Sequence, residues 1–320
     1  MSSIKVDEAR KIILEKIAVQ GTEKVPISNA LNRILSEDIV ARRNNPPMDN
    51  SAMDGYALIS NDIQSATPEN PVQLDIIEDL AAGYSPEMVV KPGQAVRIMT
   101  GAPIPEGADA VIMQEDTERN GNSVQVKDKA EVRENIRDAG EDVREGETVI
   151  KEGADLLPAH IGMMAVVGRS SVLVGRRPSV AILSTGDEIM DLDEPLSGPC
   201  IYNSNGYMLA AQIKSAGGIP SYLGIARDNE EDLMEKFRWA LQCDMVVSSG
   251  GVSVGDYDLV KASLKKMGQE MLFWKVAMKP GKPLAFGRIN DVPIFGLPGN
   301  PVSSFVSFEQ FVRPSIRKMM

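Results

Sequence analysis

The chain has 320 residues, 43% of them hydrophobic, and a formal net charge of −11. A domain usually takes about 100 to 200 residues, so this length predicts two or three domains with packed cores. Nucleic acids and anionic membranes select basic surfaces, and the acidic charge therefore argues against both as main partners.

Few residues of the chain suit a soft metal. The two cysteines, Cys200 and Cys243, lack the spacing of a metal site and are too few for a disulfide framework, and there is one histidine. Any metal is therefore expected to be a hard cation such as Mg²⁺, held by carboxylate and phosphate oxygens. The N-terminus has no apolar signal region, and no apolar run approaches the roughly 20 residues of a membrane span, so we expect a cytoplasmic protein.

The first half of the chain predicts a helix followed by a β-rich segment. Residues 6–18 place apolar side chains at helical spacing, and Asp7 and Glu8 lie near the start, where the helix dipole favours acids. Asn44-Asn45-Pro46-Pro47 breaks this pattern and marks a domain boundary. Short apolar runs then predict strands, with Asn120-Gly121 as a hairpin turn.

From Pro178 onward, short apolar strands alternate with helical patterns. Strands separated by helices imply right-handed crossovers and a doubly wound, mostly parallel sheet. The predicted fold class is thus multidomain α/β. The expected domains are a discontinuous α+β linking and dimerisation domain (1–45 plus 141–175), a small β-rich domain (46–140) and the doubly wound α/β domain (176–320).

A glycine-rich turn lies at the centre of the α/β half. Gly250, Gly251 and Gly255 stand between a predicted strand and a predicted helix, where freed backbone N–H groups suit a phosphate. A nucleotide-binding P-loop is excluded, because Asp256-Tyr257 occupies the place of its Lys and Ser or Thr. A serine-hydrolase turn is disfavoured, because the histidine, His160, precedes the serine. A tight turn without a ligand is the alternative.

The strand ends of a parallel sheet share one edge, where open α/β sheets bind ligands. Glu188 follows the first strand of this domain, Asp228 follows the second as the expected helix N-cap, and Asp258 follows the glycine turn. Gly299-Asn300 leaves the last strand in another turn that opens a helix. Two such turns and several carboxylates predict a phosphate ester or pyrophosphate with Mg²⁺, although each carboxylate alone is also explained as a cap or a solvated charge.

A cationic stretch follows, with Lys275, Lys279, Lys282 and Arg288 and no acidic residue between 271 and 290. One interpretation is that the lysines bind a compact oxyanion. The other is an edge strand protected by lysines. Earlier in the chain, the polar residues 48–57 are by themselves typical of a turn. The alternating charges of residues 133–150 are typical of a solvated face.

Seven motifs, in order along the chain, resemble those of the molybdopterin molybdenumtransferase family, which is also similar to the E domain of gephyrin. They are Ser51-Ala52-Met53-Asp54-Gly55-Tyr56-Ala57, Thr100-Gly101-Ala102-Pro103, Gly140-Glu141-Asp142, Ser184-Thr185-Gly186-Asp187-Glu188, Ser249-Gly250-Gly251-Val252-Ser253-Val254-Gly255, Lys279-Pro280-Gly281-Lys282-Pro283 and Leu297-Pro298-Gly299-Asn300-Pro301. The resemblance implies a transferase that inserts molybdate into adenylylated molybdopterin, with Mg²⁺-dependent release of AMP.

The resemblance also implies which residues carry the function. The implied catalytic residues are Asp54, Thr100, Asp142, Glu188, Asp228, Asp258, Lys275 and Lys279. The implied substrate- and phosphate-binding residues are Ser249, Gly250, Gly251, Ser253, Gly255, Pro298, Gly299, Asn300, Lys282 and Arg137. Glu188, Asp228 and Asp258 are the implied Mg²⁺ ligands.

The family further implies a cytoplasmic homodimer whose active cleft lies between protomers, with molybdopterin adenylyltransferase and molybdenum-enzyme acceptors as partners and neither nucleic acid nor membrane. Family members normally continue into a C-terminal β domain, which this sequence lacks after Met320. Two alternatives stay open. One is a molybdopterin adenylyltransferase, which would consume ATP, and the other is a non-catalytic scaffold of the gephyrin type, which would bind peptides without turnover.

Overall fold

The computed structural model describes residues 3–250, 259–268 and 270–320. The contacts divide the chain into two units. Unit 1 comprises Met1–Glu37, Glu152–Ile161 and Ser171–Met320, and unit 2 comprises Asp38–Lys151 and Gly162–Ser170. The division into three domains expected from the sequence stays a prediction.

The described residues form seven α-helices. They are Val6–Lys16 (α1), Pro158–Val166 (α2), Ser204–Ala216 (α3), Glu230–Ala240 (α4), Leu259–Lys266 (α5), Pro301–Ser307 (α6) and Arg313–Met319 (α7). A π-helical segment, Phe308–Val312, joins α6 to α7. None of the helices that the structure describes has the length and apolar character needed to span a bilayer.

The described residues also form twenty β-strands. They are Thr22–Pro26 (β1), Ile39–Val40 (β2), Asn50–Ser51 (β3), Gly55–Leu58 (β4), Val72–Leu80 (β5), Gln94–Ile98 (β6), Ala110–Met113 (β7), Thr117–Asn120 (β8), Ser123–Val126 (β9), Ile136–Arg137 (β10), Thr148–Ile150 (β11), Ser171–Gly175 (β12), Ser179–Thr185 (β13), Ile189–Met190 (β14), Ile201–Tyr202 (β15), Ile219–Ala226 (β16), Met245–Ser249 (β17), Glu270–Lys275 (β18), Pro283–Ile289 (β19) and Val292–Leu297 (β20).

Unit 1 is built on a six-stranded sheet in the order β16-β13-β17-β20-β19-β18. The first four strands are parallel, and β19 and β18 are antiparallel to their neighbours, so the predicted mostly parallel α/β sheet is confirmed. On one face Val180 and Ile182 pack in a core with Leu209 of α3, and on the other Leu183 packs with Phe237 of α4. Both faces are thus covered by helices, which explains the continuous apolar character of the strands.

The lysine-rich stretch contributes the edge strand β18 and its neighbour β19. The outer edge of β18 is partly covered, because Ile4 lies beside Val276 and its N–H donates to the carbonyl of Lys275 at 3.2 Å. The interpretation as an edge strand is therefore correct for the backbone. It leaves open what the lysine side chains bind.

Unit 2 contains a second six-stranded sheet, in the order β7-β4-β6-β5-β9-β8, which confirms the predicted β character of this segment. Apolar side chains fill both of its faces, with Tyr56 and Leu58 on one and Ala57 on the other. The predicted hairpin joins β8 to β9. Asn120 pairs with Ser123, so its two-residue loop is residues 121–122, one residue later than expected.

Candidate functional site

A cleft of about 270 Å³ opens at the C-terminal edge of the parallel strands of unit 1. This is the edge at which ligands bind in open α/β sheets. The lining of the cleft combines a few apolar side chains with small or polar residues. The lining residues are Ser184, Thr185, Glu188, Ile189, Ile201, Tyr202, Asn203, Ser204, Asn205, Ser249, Gly250, Gly299 and Pro301.

The two glycine turns lie side by side in this cleft. Gly250 has a φ of +89°, and a Cβ there would lie 2.6 Å from the carbonyl oxygen of Thr185, so only glycine fits. Its N–H donates to the carbonyl of Leu297 at 3.2 Å. A Cβ on Gly299 would lie 3.9 Å from the Cα of Gly250. Backbone from the ends of two neighbouring strands therefore meets at one place.

The second turn leads into α6. Asn300 is the N-cap of this helix, and its Oδ1 accepts from the N–H of Ser303 at 3.2 Å, while Pro298 is buried beneath the turn. Of the predicted substrate-binding residues, Gly251, Ser253 and Gly255 lie outside the described residues. The predicted catalytic residue Asp258 lies outside them too.

Acidic side chains gather beside the first glycine turn. Glu188 lines the cleft, and the N–H of Asp228 donates to Oδ1 of Asp187 at 3.1 Å. Burial, and then the negative charges of Asp187 and Glu188, raise the pKa of Asp228 above its ordinary value. Repulsion among these carboxylates would be relieved by a cation, and their oxygens are the hard donors that Mg²⁺ prefers.

The structure describes two of the three predicted Mg²⁺ ligands, Glu188 and Asp228. Among the described residues no group of three His, Cys, Asp or Glu side chains is close enough to hold a metal ion, and the third predicted ligand, Asp258, lies outside them. The expected capping role of Asp228 is wrong. Asn229 is the N-cap of α4, since its Oδ1 accepts from the N–H of Asp232 at 2.9 Å. The carboxylate of Asp228 is therefore not used by the cap.

The cationic residues of β18 and β19 divide into two groups. Arg288 is neutralised by Glu270 at 3.0 Å and Asp291 at 3.2 Å. Lys275 is half-buried at the end of β18, and Lys279 and Lys282 are exposed in the loop before β19. No ion pair joins these three lysines to any other described side chain, in contrast to Arg288.

Unit 2 holds the other predicted site residues. Asp54 follows β3, and its Oδ1 accepts from both the N–H and the hydroxyl of Thr100, at 2.7 Å each. These bonds, with a smaller contribution from Arg97, lower the pKa of Asp54. Its carboxylate is therefore fixed in orientation and ionised near neutral pH.

A second predicted site carboxylate, Asp142, lies in the same unit and is paired with Arg137. The guanidinium of Arg137 donates to Oδ1 of Asp142 at 2.8 Å and to Glu141 at 3.4 Å, which raises the pKa of Arg137. Arg137 belongs to β10, which pairs with β3 just before Asp54. Unit 2 thus presents two ordered carboxylates. Asp54 is hydrogen-bonded to Thr100 and Asp142 to Arg137, both of which are predicted site residues.

The sequence interpretation missed the asparagines at the start of α3. Asn203 caps this helix by accepting from the N–H of Gly206 at 3.0 Å, and Asn205 is buried in the cleft wall. Tyr222 lies against Asn203, and its pKa is raised to about 12 by burial and then by the negative charge of Asp191. An Asn-Ser-Asn run before an apolar helical pattern is a start signal that marks this point in the sequence.

Comparison with known proteins identifies the family. Residues 4–168 match the model of the MoeA N-terminal region (domain I and II), and residues 181–318 match the model described as "Probable molybdopterin binding domain". A molybdopterin molybdenumtransferase of Bacillus subtilis is 40% identical over 319 residues, which is 98% of this chain and 74% of the relative. The chain belongs to the molybdopterin molybdenumtransferase (MoeA) family.

Other members show the same correspondence. The molybdopterin molybdenumtransferase of Haemophilus influenzae is 41% identical over 98% of this chain and 77% of its own length. The crystal structure of a molybdopterin biosynthesis moeA protein from Pyrococcus horikoshii matches with a TM-score of 0.85 and 34% identity, over 99% of this chain and 79% of that chain. The MoeA fold is thus shared by both units of the chain.

Proposed function

We propose that the chain transfers molybdenum from molybdate to adenylylated molybdopterin, with Mg²⁺-dependent release of AMP. The observation that carries this proposal is the meeting of the Gly250 and Gly299 turns in a cleft lined by Glu188. Glycine backbone admits phosphate oxygens at close range, and Lys275 at the end of β18, with Lys279 and Lys282 in the loop before β19, would supply positive charge for an oxyanion. Both substrates are anions that need such neutralisation.

The proposal assigns a task to each group of residues. The glycine turns bind the pyrophosphate link and keep it still, while Lys275, Lys279 and Lys282 attract molybdate. Glu188 and Asp228, with Asp258, would hold Mg²⁺. When bound, the metal supplies charge neutralisation and polarises the phosphoanhydride that is cleaved. Asp54 is kept ionised by Thr100, and Asp142 is held by Arg137, so that both carboxylates keep a fixed orientation during the reaction.

The test is AMP release from adenylylated molybdopterin, measured with and without Mg²⁺ and molybdate. We expect release that needs both, and a loss of about ten- to a hundredfold in Glu188→Ala, since a metal ligand or its support typically contributes on this scale. Glu235→Ala is the matched control, because this glutamate lies on α4 and does not line the cleft. Release that is independent of molybdate, or peptide binding without turnover, would overturn the proposal.

A homodimer is the second part of the proposal, and it follows from family membership. Sedimentation of the purified chain measures the oligomeric state. Mixing Asp54→Ala with Glu188→Ala protein tests whether the protomers share a site, since mixed dimers would regain activity if each defect sits in a different half of that site. A monomer, or mixtures as inactive as the separate variants, would contradict this part.

The cellular context is proposed on the same basis. We infer a cytoplasmic protein that receives its substrate from a molybdopterin adenylyltransferase and delivers the product to molybdenum-enzyme acceptors. Fractionation of cells and affinity capture with the tagged chain test these points. Recovery in the membrane fraction after a salt wash would contradict the first, and absence of both partner classes from the captured proteins would contradict the second.

A further inference from the structure

Two asparagines at the start of α3 form hydrogen bonds with residues in, or just beyond, all four parallel strands of the unit 1 sheet. Asn203 forms hydrogen bonds with β13 and β16. Its Oδ1 accepts from the hydroxyl of Ser184 at 2.9 Å, and its Nδ2 donates to the hydroxyl of Tyr222 at 2.6 Å. These two strands are neighbours at one side of the sheet.

Asn205 forms hydrogen bonds at the ends of the other two strands, β17 and β20. Its Nδ2 donates to the hydroxyl of Ser249, the last residue of β17, at 2.7 Å, and to the carbonyl of Gly299 beyond β20 at 2.8 Å. A carbonyl only accepts hydrogen bonds, so Gly299 fixes the orientation of the amide. Asn205 is 9% exposed. It is thus a buried amide that ties the two glycine turns to one helix.

The bonds of Asn205 come from its nitrogen alone. Its Oδ1 is buried and has no hydrogen-bond partner among the described residues. Among the described residues, the side chain therefore forms hydrogen bonds only through Nδ2. Its useful contribution is the pair of bonds that sets where Ser249 and Gly299 stand relative to each other.

We propose that Asn205 is a positioning residue that sets the separation of the Gly250 and Gly299 turns and thereby the affinity for the pyrophosphate of the substrate. This inference rests on the proposed function for the identity of the ligand. The N–H of Gly250 reaches only as far as Leu297, the last residue of β20, whereas the amide of Asn205 holds Gly299 in the second turn itself, so loss of this amide leaves the second turn free to shift. A shift of that kind weakens every contact that a phosphate makes to both turns at once.

The test uses Asn205→Asp and Asn205→Ala. Aspartate keeps the shape of the side chain but replaces the donating nitrogen by an oxygen that faces the carbonyl of Gly299, and alanine removes both bonds. Gln212→Glu is the matched control. Gln212 lies on the same helix, is 6% exposed, and its Nε2 donates to Glu309 at 2.7 Å, so this variant also exchanges a buried donating amide for a carboxylate.

The readouts are the thermal midpoint of each protein and its affinity for adenylylated molybdopterin and for inorganic pyrophosphate, measured by calorimetry. We expect both Asn205 variants to bind both ligands at least about tenfold more weakly than the wild type, on the scale of losing one or two hydrogen bonds. The control should lower the thermal midpoint with unchanged affinity. Asn205→Ser, which keeps a short donor, should fall in between.

The outcomes separate the inference from the proposed function. Wild-type affinity in any folded Asn205 variant would overturn the positioning role and leave the proposed function standing. An equal loss of affinity in Gln212→Glu would also overturn it, because a general loss of stability would then explain the effect. If the wild type binds pyrophosphate but not adenylylated molybdopterin, the proposed substrate is wrong, and the pyrophosphate measurements still decide the role of Asn205.

Discussion

Asp54 accepts two hydrogen bonds from Thr100 through a single carboxylate oxygen, one from the backbone N–H and one from the hydroxyl, across 46 residues of sequence. Both bonds favour the ionised carboxylate and lower its pKa. One of them depends on the side chain of Thr100, and this bond can be removed without disturbing the backbone.

Thr100→Val should raise the pKa of Asp54, because the hydroxyl donor is lost while the N–H donor remains. Thr100→Ser keeps the hydroxyl and should leave the titration as in the wild type. Carbon NMR of the Asp54 carboxyl group across acidic pH measures the change directly. The same titration midpoint in all three proteins would show that the hydroxyl bond contributes nothing to this carboxylate.

Gly250→Ala should weaken substrate binding and lower stability. Its φ of +89° disfavours any side chain, and the added Cβ would meet the carbonyl oxygen of Thr185 at 2.6 Å. Gly224→Ala is a matched control, because Gly224 has a φ of +80° but open space around its Cβ position. Strain alone costs about 1 kcal/mol, so Gly224→Ala should lose this much in denaturant unfolding and Gly250→Ala should lose more.

Only Gly250→Ala should also lose affinity for adenylylated molybdopterin, by at least about tenfold if the turn must move by a few tenths of an ångström to admit the methyl group. Equal affinity in the two variants would contradict the assignment of the Gly250 turn to the binding site.

Asp244→Ala should destabilise unit 1 without affecting ligand affinity. Asp244 precedes β17, at the opposite end of the strand from the cleft, and accepts from Arg176 at 2.7 Å and from the N–H and hydroxyl of Ser179 at 2.7 and 2.8 Å. Leaving these donors without a partner costs about 2 kcal/mol. Denaturant unfolding at neutral pH measures the loss.

The effect of Asp244→Ala should depend on pH. Burial alone would raise the pKa of Asp244, but the bonds from Arg176 and Ser179 outweigh it and lower the pKa below its ordinary value. A lowered pKa contributes stability that is present above the unfolded value, about 4, and lost as the pH falls through the folded value. The difference between wild type and variant should therefore shrink below about pH 4. A difference that stays constant with pH would contradict the account.

Tyr222→Phe should show the opposite dependence on pH. Burial, and then the charge of Asp191, raise the pKa of Tyr222 to about 12. The unfolded tyrosine ionises near 10, so the wild type loses stability as the pH rises from 10 towards 12, and phenylalanine does not. At neutral pH the variant should be less stable by about 1 kcal/mol, because Asn203 loses its acceptor.

The deficit of Tyr222→Phe should thus close or reverse at alkaline pH. Tyr84→Phe is the control, since Tyr84 is 71% exposed and should show no such change. Parallel stability curves for wild type and Tyr222→Phe up to pH 12 would contradict the assigned burial.

The location of the cleft could be predicted from the sequence because apolar strands alternate with helical patterns, and this alternation places the carboxyl ends of the parallel strands on one edge. The adjacency of Gly250 and Gly299 follows from the same rule. Asn203 and Asn205 could not be assigned a role in this way. Their partners Ser184, Tyr222 and Gly299 are distant in sequence, so only the assembled sheet brings them together.

Two local predictions were displaced by one residue, for different physical reasons. Asp228 and Asn229 are both good N-cap residues, and the extended backbone of Asn229, with φ −134° and ψ 149°, selects it for α4. In the hairpin, Asn120 remains in the strand because it pairs with Ser123, and Gly121, with φ +62°, takes the first loop position. Sequence patterns identify such turns but do not fix the register.

We propose that molybdenum insertion and AMP release are one reaction in the cleft where the Gly250 and Gly299 turns meet. The most direct test is a single turnover of adenylylated molybdopterin with molybdate and Mg²⁺, in which AMP released and molybdenum bound to the pterin product are measured in the same sample. We expect equal amounts of both, appearing together and reduced together in Gly250→Ala. Release of AMP without molybdenum in the product would contradict it.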